Sequence, residues 1–204
     1  MAGVSAAGEE KAWEIIAGRD PQELSRAADV TYDEATGAFR ILSYGMEFIV
    51  SPRERSITSG AVGSEVLLQR LGEFFRLSVL WYLATAKDIP CTGRMTKIES
   101  IKGGEAFSRG SHVLPVGRLS QKFGSDKDGF IEKGKRLGGE IVKFGDAAIR
   151  LYPLPRVPVV LSLWLADDEF PARADLLLDS SCELQLPPDI TWSVAMMSVL
   201  VMGM

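Results

Sequence analysis

Residues able to do chemistry cluster most densely in the segment from Lys102 to Pro115, KGGEAFSRGSHVLP. It holds His112, the single histidine of the chain, together with Glu105, Arg109 and Ser111. A histidine titrates near neutrality and its neutral nitrogen donates well to a metal, so His112 could act as a general base or an axial ligand. Paired with Glu105 or Arg109, it could work on an anionic substrate; the alternative is a structural histidine hydrogen-bonded in a loop. Gly103 and Gly104 ahead of a short helix could offer backbone N–H groups to an anion, with Arg109 and Arg118 adding charge. The spacing is neither that of a P-loop nor that of a GxGxxG turn, and plain turn glycines explain it as well.

Three further groups invite a chemical reading. Asp167, Asp168 and Glu169 put three carboxylates in one turn, yet calcium needs further oxygen ligands at defined spacing, so a solvated hairpin tip is expected and no metal site is assigned. Asp179-Ser180-Ser181 reads as a strand-ending Asx turn rather than a nucleophile with its base. Cys91 and Cys182 lie far apart in sequence and suggest two isolated, mostly buried thiols rather than a CxxC metal or redox site. No cofactor is assigned.

The elements that must position these groups point to one α+β domain spanning residues 1–204, with residues 1–8 flexible. Helices are predicted over Glu9–Ala17, from a cap at Asp20-Pro21-Gln22-Glu23 to Ala28, and from Glu65 to Ala86 with Ser64 as N-cap. Two more should cover Val116–Phe123 and Lys127–Leu137, and an almost uniformly apolar helix should run from Asp189 to Met202. Strands are expected at Val30–Tyr32, Ala38–Leu42, Met46–Val50, Arg55–Thr58, Arg94–Glu99, Glu140–Phe144 and Ala147–Leu151. Tyr152-Pro153-Leu154-Pro155 reads as a stiff connector into a strand at Val157–Leu165, covered on both faces and paired with Arg173–Leu178. These pieces predict a mostly antiparallel sheet packed against the long Glu65–Ala86 helix and the apolar C-terminal helix.

A 46% hydrophobic share with 25% charged residues is that of an ordinary globular domain. The formal charge of −4 and pI near 5.2 argue against nonspecific nucleic-acid binding. The longest apolar run, Trp192 to Met204, is short of the ~20 residues a spanning helix needs, and MAGVSAAGEEKAW lacks the pattern of a secretory leader. A cytoplasmic protein without membrane contact is expected. The uniformly apolar Trp192–Met202 segment is either deeply buried or half of a homodimer interface.

The succession YLATAKDIPCTGRMTKIESIKGGEAF, SRGSHVLPVGRLSQKFG, RLGGEIVKFGDAAIRLYPLPRVPVVLSLWLADDEFPARADLLLDSS, then prolines and an apolar helix, resembles the domain of unknown function 3786 family. The likeness is strongest from about Leu80 onward and collinear from Asp20. It implies an anaerobic context, and fusion of some members to iron–sulfur domains implies an iron–sulfur or other redox partner protein. With no cluster-type cysteine array here, such a cluster would belong to that partner. A binding or accessory module for a redox or cofactor-handling system is therefore expected, ahead of a small enzyme using His112 or a homo-oligomeric structural protein.

Overall fold

A computed structural model of the chain describes residues 2–108 and 112–204, with backbone alone for residues 2–5, 106 and 108. The chain opens with two helices, α1 (Ala2–Ala17) and α2 (Pro21–Ala28). The cap of α2 is the one the sequence predicts: the Asp20 side chain accepts from the Glu23 N–H at 2.8 Å, with Pro21 at the first turn. Helix α1 starts seven residues earlier than predicted. Its Glu9 and Glu10 carboxylates meet Arg76 at 2.8 Å and Arg55 at 2.6 Å, partners that local periodicity does not show.

Four short strands follow, β1 (Thr31–Asp33), β2 (Ala38–Ser43), β3 (Met46–Ser51) and β4 (Ser56–Thr58), in a fully antiparallel meander. From Phe39 onward β2 alternates: Phe39 and Ile41 are buried while Arg40 and Leu42 face out, the period of two that a half-covered sheet imposes.

The long helix is not continuous. Val66–Arg70 forms a π-helical turn, Leu71 donates five residues back to the Val66 carbonyl, and α3 starts only at Gly72 and runs to Thr85. Ser64 is buried and its side chain caps nothing. A π turn shifts the face of a helix, here at the glycine with the lowest helix preference in the segment. Helix α3 packs between α1 and the C-terminal helix, and Phe75 rests on Phe48 of β3 with ring centroids 4.5 Å apart.

The second sheet has the order β5-β9-β8-β7-β6, built from β5 (Met95–Thr96), β6 (Glu140–Ile141), β7 (Ala147–Leu154), β8 (Val157–Trp164) and β9 (Arg173–Asp179), all antiparallel. The expected single sheet is thus two. Strand β5 is shorter than predicted because Ile98 leaves the ladder and turns into the core as part of a 3₁₀ turn. The Tyr152–Pro155 connector is instead mostly strand: β7 continues through Pro153, whose missing donor falls at a register shift between Leu151 and Leu154, and only Pro155-Arg156 turn the chain.

Helices α4 (Gly117–Phe123), α5 (Lys127–Arg136), α6 (Cys182–Gln185) and α7 (Pro188–Gly203) complete the chain. Ile190, Val194, Ala195, Met197, Val199, Val201 and Met202 of α7 are buried within this one chain, so the apolar segment is core. One hydrophobic cluster joins both sheets with the helices. The expected cover on both faces of β8 is not found: Val159, Leu161 and Leu163 face that cluster, whereas Val160 sits with Ala148 and Leu177 in a small separate one that no described helical residue joins.

The two sheets meet at a backbone contact. The Tyr44 N–H donates to the Tyr152 carbonyl at 2.9 Å. Beside it Gly45 (φ 74°) and Gly138 (φ 69°) stack so closely that a Cβ on Gly138 would lie 2.8 Å from the Gly45 Cα. Gly138→Ala combines left-handed strain with that clash and should cost about 2–4 kcal/mol in chemical denaturation. Gly60→Ala, whose added Cβ meets nothing within 4 Å, should change stability by less than about 0.5 kcal/mol.

Candidate functional site

Of the predicted site residues, Gly103, Gly104, Glu105, His112 and Arg118 lie among the described residues. Gly103 takes φ 79°, and Gly104 is buried against the Ile98 carbonyl with no room for a side chain. The Gly104 N–H donates to the Ile101 carbonyl at 2.9 Å and the Lys102 N–H to the Glu183 carboxylate at 2.9 Å. The Gly104 donor is thus used inside the fold, as in a plain turn. Glu105 is exposed on a 3₁₀ turn spanning Gly104–Ser108, and Arg118 is exposed on α4.

His112 is exposed, and its neighbours are aromatic: its ring lies 5.3 Å from Trp192, edge to face, and 6.2 Å from Phe107. Trp192 Nε1–H donates to the His112 carbonyl at 2.6 Å, fixing this segment to α7. Arg109, with Gly110 and Ser111, lies outside the described residues.

The carboxylates at the β8–β9 tip are held by the turn itself. Asp167 accepts from the Phe170 N–H at 2.7 Å and the Glu169 N–H at 2.9 Å, and those two bonds hold its carboxyl below the ordinary value. Around them lies a cleft of about 670 Å³ walled by Trp164, Phe170, Pro171 and Arg173. The Arg173 guanidinium stacks 4.2 Å above the Trp164 ring, and Phe144 meets that ring edge-on at 5.5 Å. Phe144 is 45% exposed and Phe170 66%.

Asp179 is buried, and its carboxylate is the most heavily bonded one described. Oδ1 accepts from the Thr92 N–H (3.0 Å) and hydroxyl (2.9 Å) and from the Ser181 N–H (2.9 Å) and hydroxyl (2.6 Å), and Oδ2 from the Gly93 N–H (2.7 Å). Burial raises the Asp179 pKa, but the Ser181 hydroxyl and N–H with the Thr92 donors outweigh it and hold the carboxyl below its ordinary value. The Ser181 contact is the predicted Asx turn; the Thr92-Gly93 half joins segments 86 residues or more apart and has no local signature.

This cage fixes the loop that carries Cys91. The Cys91 thiol is exposed, against expectation, while Cys182 is buried as expected. Partial loss of water at the otherwise exposed sulfur and the Asp179 charge push the Cys91 pKa up, and burial pushes Cys182 up to about 12, so both stay neutral thiols near pH 7. The cage is therefore a structural clamp.

A second cleft, of about 430 Å³, opens where the sheets meet, over Gly45 and Gly138. Asp29, Arg40, Glu47, Leu42, Tyr152 and Pro155 line it. Arg40 reaches Glu47 at 3.4 Å and Asp33 at 3.6 Å, and the Tyr152 hydroxyl donates to Glu140 at 3.3 Å.

Two antiparallel sheets on a shared helical core, with open clefts at the sheet junction and at one sheet end, define an α+β fold. The chain belongs to the family described as Domain of unknown function (DUF3786), which it matches over residues 20–200. No curated protein and no solved structure matches it.

Asp179 sets a pH test. Its folded pKa is depressed, so its contribution is present above the unfolded value near ~4 and is lost as pH falls through the folded value. Asp179→Asn should cost about 2–4 kcal/mol at pH 7 and less near ~pH 3, read from denaturation at both pH values.

Proposed function

We propose that this chain is a binding or accessory module that docks a partner protein, in the redox or cofactor-handling setting that the family resemblance implies, inside the cytoplasm. The observation that carries the reading is the open end of the second sheet, where Phe170, Phe144 and Trp164 leave apolar surface beside a cleft. Large aromatics grouped in the open mark contact surfaces, because their burial supplies most of the energy of a specific interface.

The cleft rim carries Asp146 and Asp167, with Asp168 and Glu169 exposed next in the turn. Hydrogen bonds that lower the Asp167 pKa keep that carboxylate charged. The partner segment that fits is an apolar side chain flanked by lysine or arginine. Any iron–sulfur centre would be the partner's, since this chain has two cysteines and a cluster is commonly held by four.

The second reading is a small enzyme acting on an anionic substrate through His112, whose ring has Trp192 and Phe107 beside it. A homodimer through Trp192–Met202 would have to use residues such as Met197 and Met202 that are already inside the core.

The test is anaerobic isolation of the tagged chain from its native cells, followed by native mass and absorption spectra. The wild type should carry a partner protein with the absorption of a redox cofactor. Phe170→Asp should lose that partner with an unchanged thermal midpoint. A wild-type preparation with neither partner nor absorption, or a Phe170→Asp variant that keeps its partner, overturns the reading.

A further inference from the structure

We propose that the cleft at the junction of the two sheets binds a small amphipathic cation, an alkylammonium or guanidinium group on a short apolar body. At about 430 Å³ the space suits a small molecule. Its floor is preformed, because the Tyr44 to Tyr152 hydrogen bond and the Gly45–Gly138 backbone contact set it without any side chain moving.

The charges on the wall select the sign of the ligand. Arg40, the one cationic residue on the lining, is already held between Glu47 at 3.4 Å and Asp33 at 3.6 Å. Asp29 is exposed on the same lining, and among the described residues no lysine or arginine lies within ion-pair reach of its carboxylate. An anion entering the cleft would face Asp29 and Glu47 with the guanidinium already engaged. A neutral apolar molecule would strip water from Asp29 without replacing it.

The apolar part of the ligand has a matching surface. Leu42 is 59% exposed and faces the cleft with Val30 and Pro155. The half-buried Tyr152 is tied down through its hydroxyl to Glu140, leaving an aromatic side chain on the wall against which a cation or its methylenes can rest.

The test is a titration of the full chain, followed by backbone NMR, with butylammonium chloride and separately with sodium butanoate. Butylammonium should give saturable shifts at Val30, Thr31, Gly45 and Gly138, and butanoate none. Asp29 has φ 53°, a conformation asparagine also tolerates, so Asp29→Asn removes the charge while keeping the backbone and should weaken butylammonium about tenfold. Leu42→Trp should fill the cleft and abolish the shifts. The proposal is overturned if butylammonium gives no saturable shift, if butanoate binds as well, or if Asp29→Asn binds undiminished. Phe170→Asp should bind butylammonium like the wild type, so this outcome is independent of partner docking.

Discussion

The arrangement of this protein depends on one constraint, the direct backbone contact between its two sheets. A side chain at Gly45 or Gly138 would push the β2–β3 turn away from the turn that follows α5, and the Tyr44 to Tyr152 hydrogen bond would open with it. Tyr44 itself sits at φ 49° and is fully buried, its hydroxyl within 2.7 Å of the Ser198 hydroxyl on α7. A bulky residue in a left-handed conformation is held there by its surroundings, because the strain of ~1–2 kcal/mol is offset by burial and by that hydrogen bond. The joint and the helical core therefore support each other, and the cleft over the joint takes its shape from both.

A second set of polar contacts locks the far side of the core. Tyr82 donates to the Ala28 carbonyl at 2.8 Å and accepts from the Arg156 N–H at 3.0 Å, tying α2, α3 and the tight β7–β8 turn to one hydroxyl. Gln185 and Asp179 then hold the two ends of the loop between α3 and β5, Gln185 through the Lys87 backbone and Asp179 through Thr92 and Gly93. Buried polar groups satisfied this completely rigidify a fold, whereas a half-satisfied set would destabilise it. Exposed aromatic surface is then left at the tip of the β8–β9 hairpin, where Phe144 and Arg173 meet the Trp164 ring.

Much of the local architecture was legible in the sequence. The Asp20-Pro21-Glu23 cap, the β2 strand, the hairpin tip at Asp167–Glu169 and the β8–β9 pairing all rest on interactions within a few residues or on residue types suited to a covered strand. The misread elements turn on backbone geometry that residue type alone does not mark. Pro153 looks like a strand breaker until its position at a register shift is known, and the i+5 bond of the π turn, from the Leu71 N–H to the Val66 carbonyl, has no residue-type signal. The site was harder still. His112 stands out by residue type but is packed on Trp192, whereas the junction cleft draws on Asp29, Arg40, Gly138 and Tyr152, none of which has a neighbour in sequence that marks it.

The joint makes the two sheets one cooperative unit, and native-state hydrogen exchange at the Tyr44 amide tests this most directly. That amide should exchange only through global unfolding, with the same free energy as the central amides of β8. Exchange of Tyr44 at a free energy several kcal/mol below that of β8 would mean that the sheets open against each other in the native state, and would contradict the account.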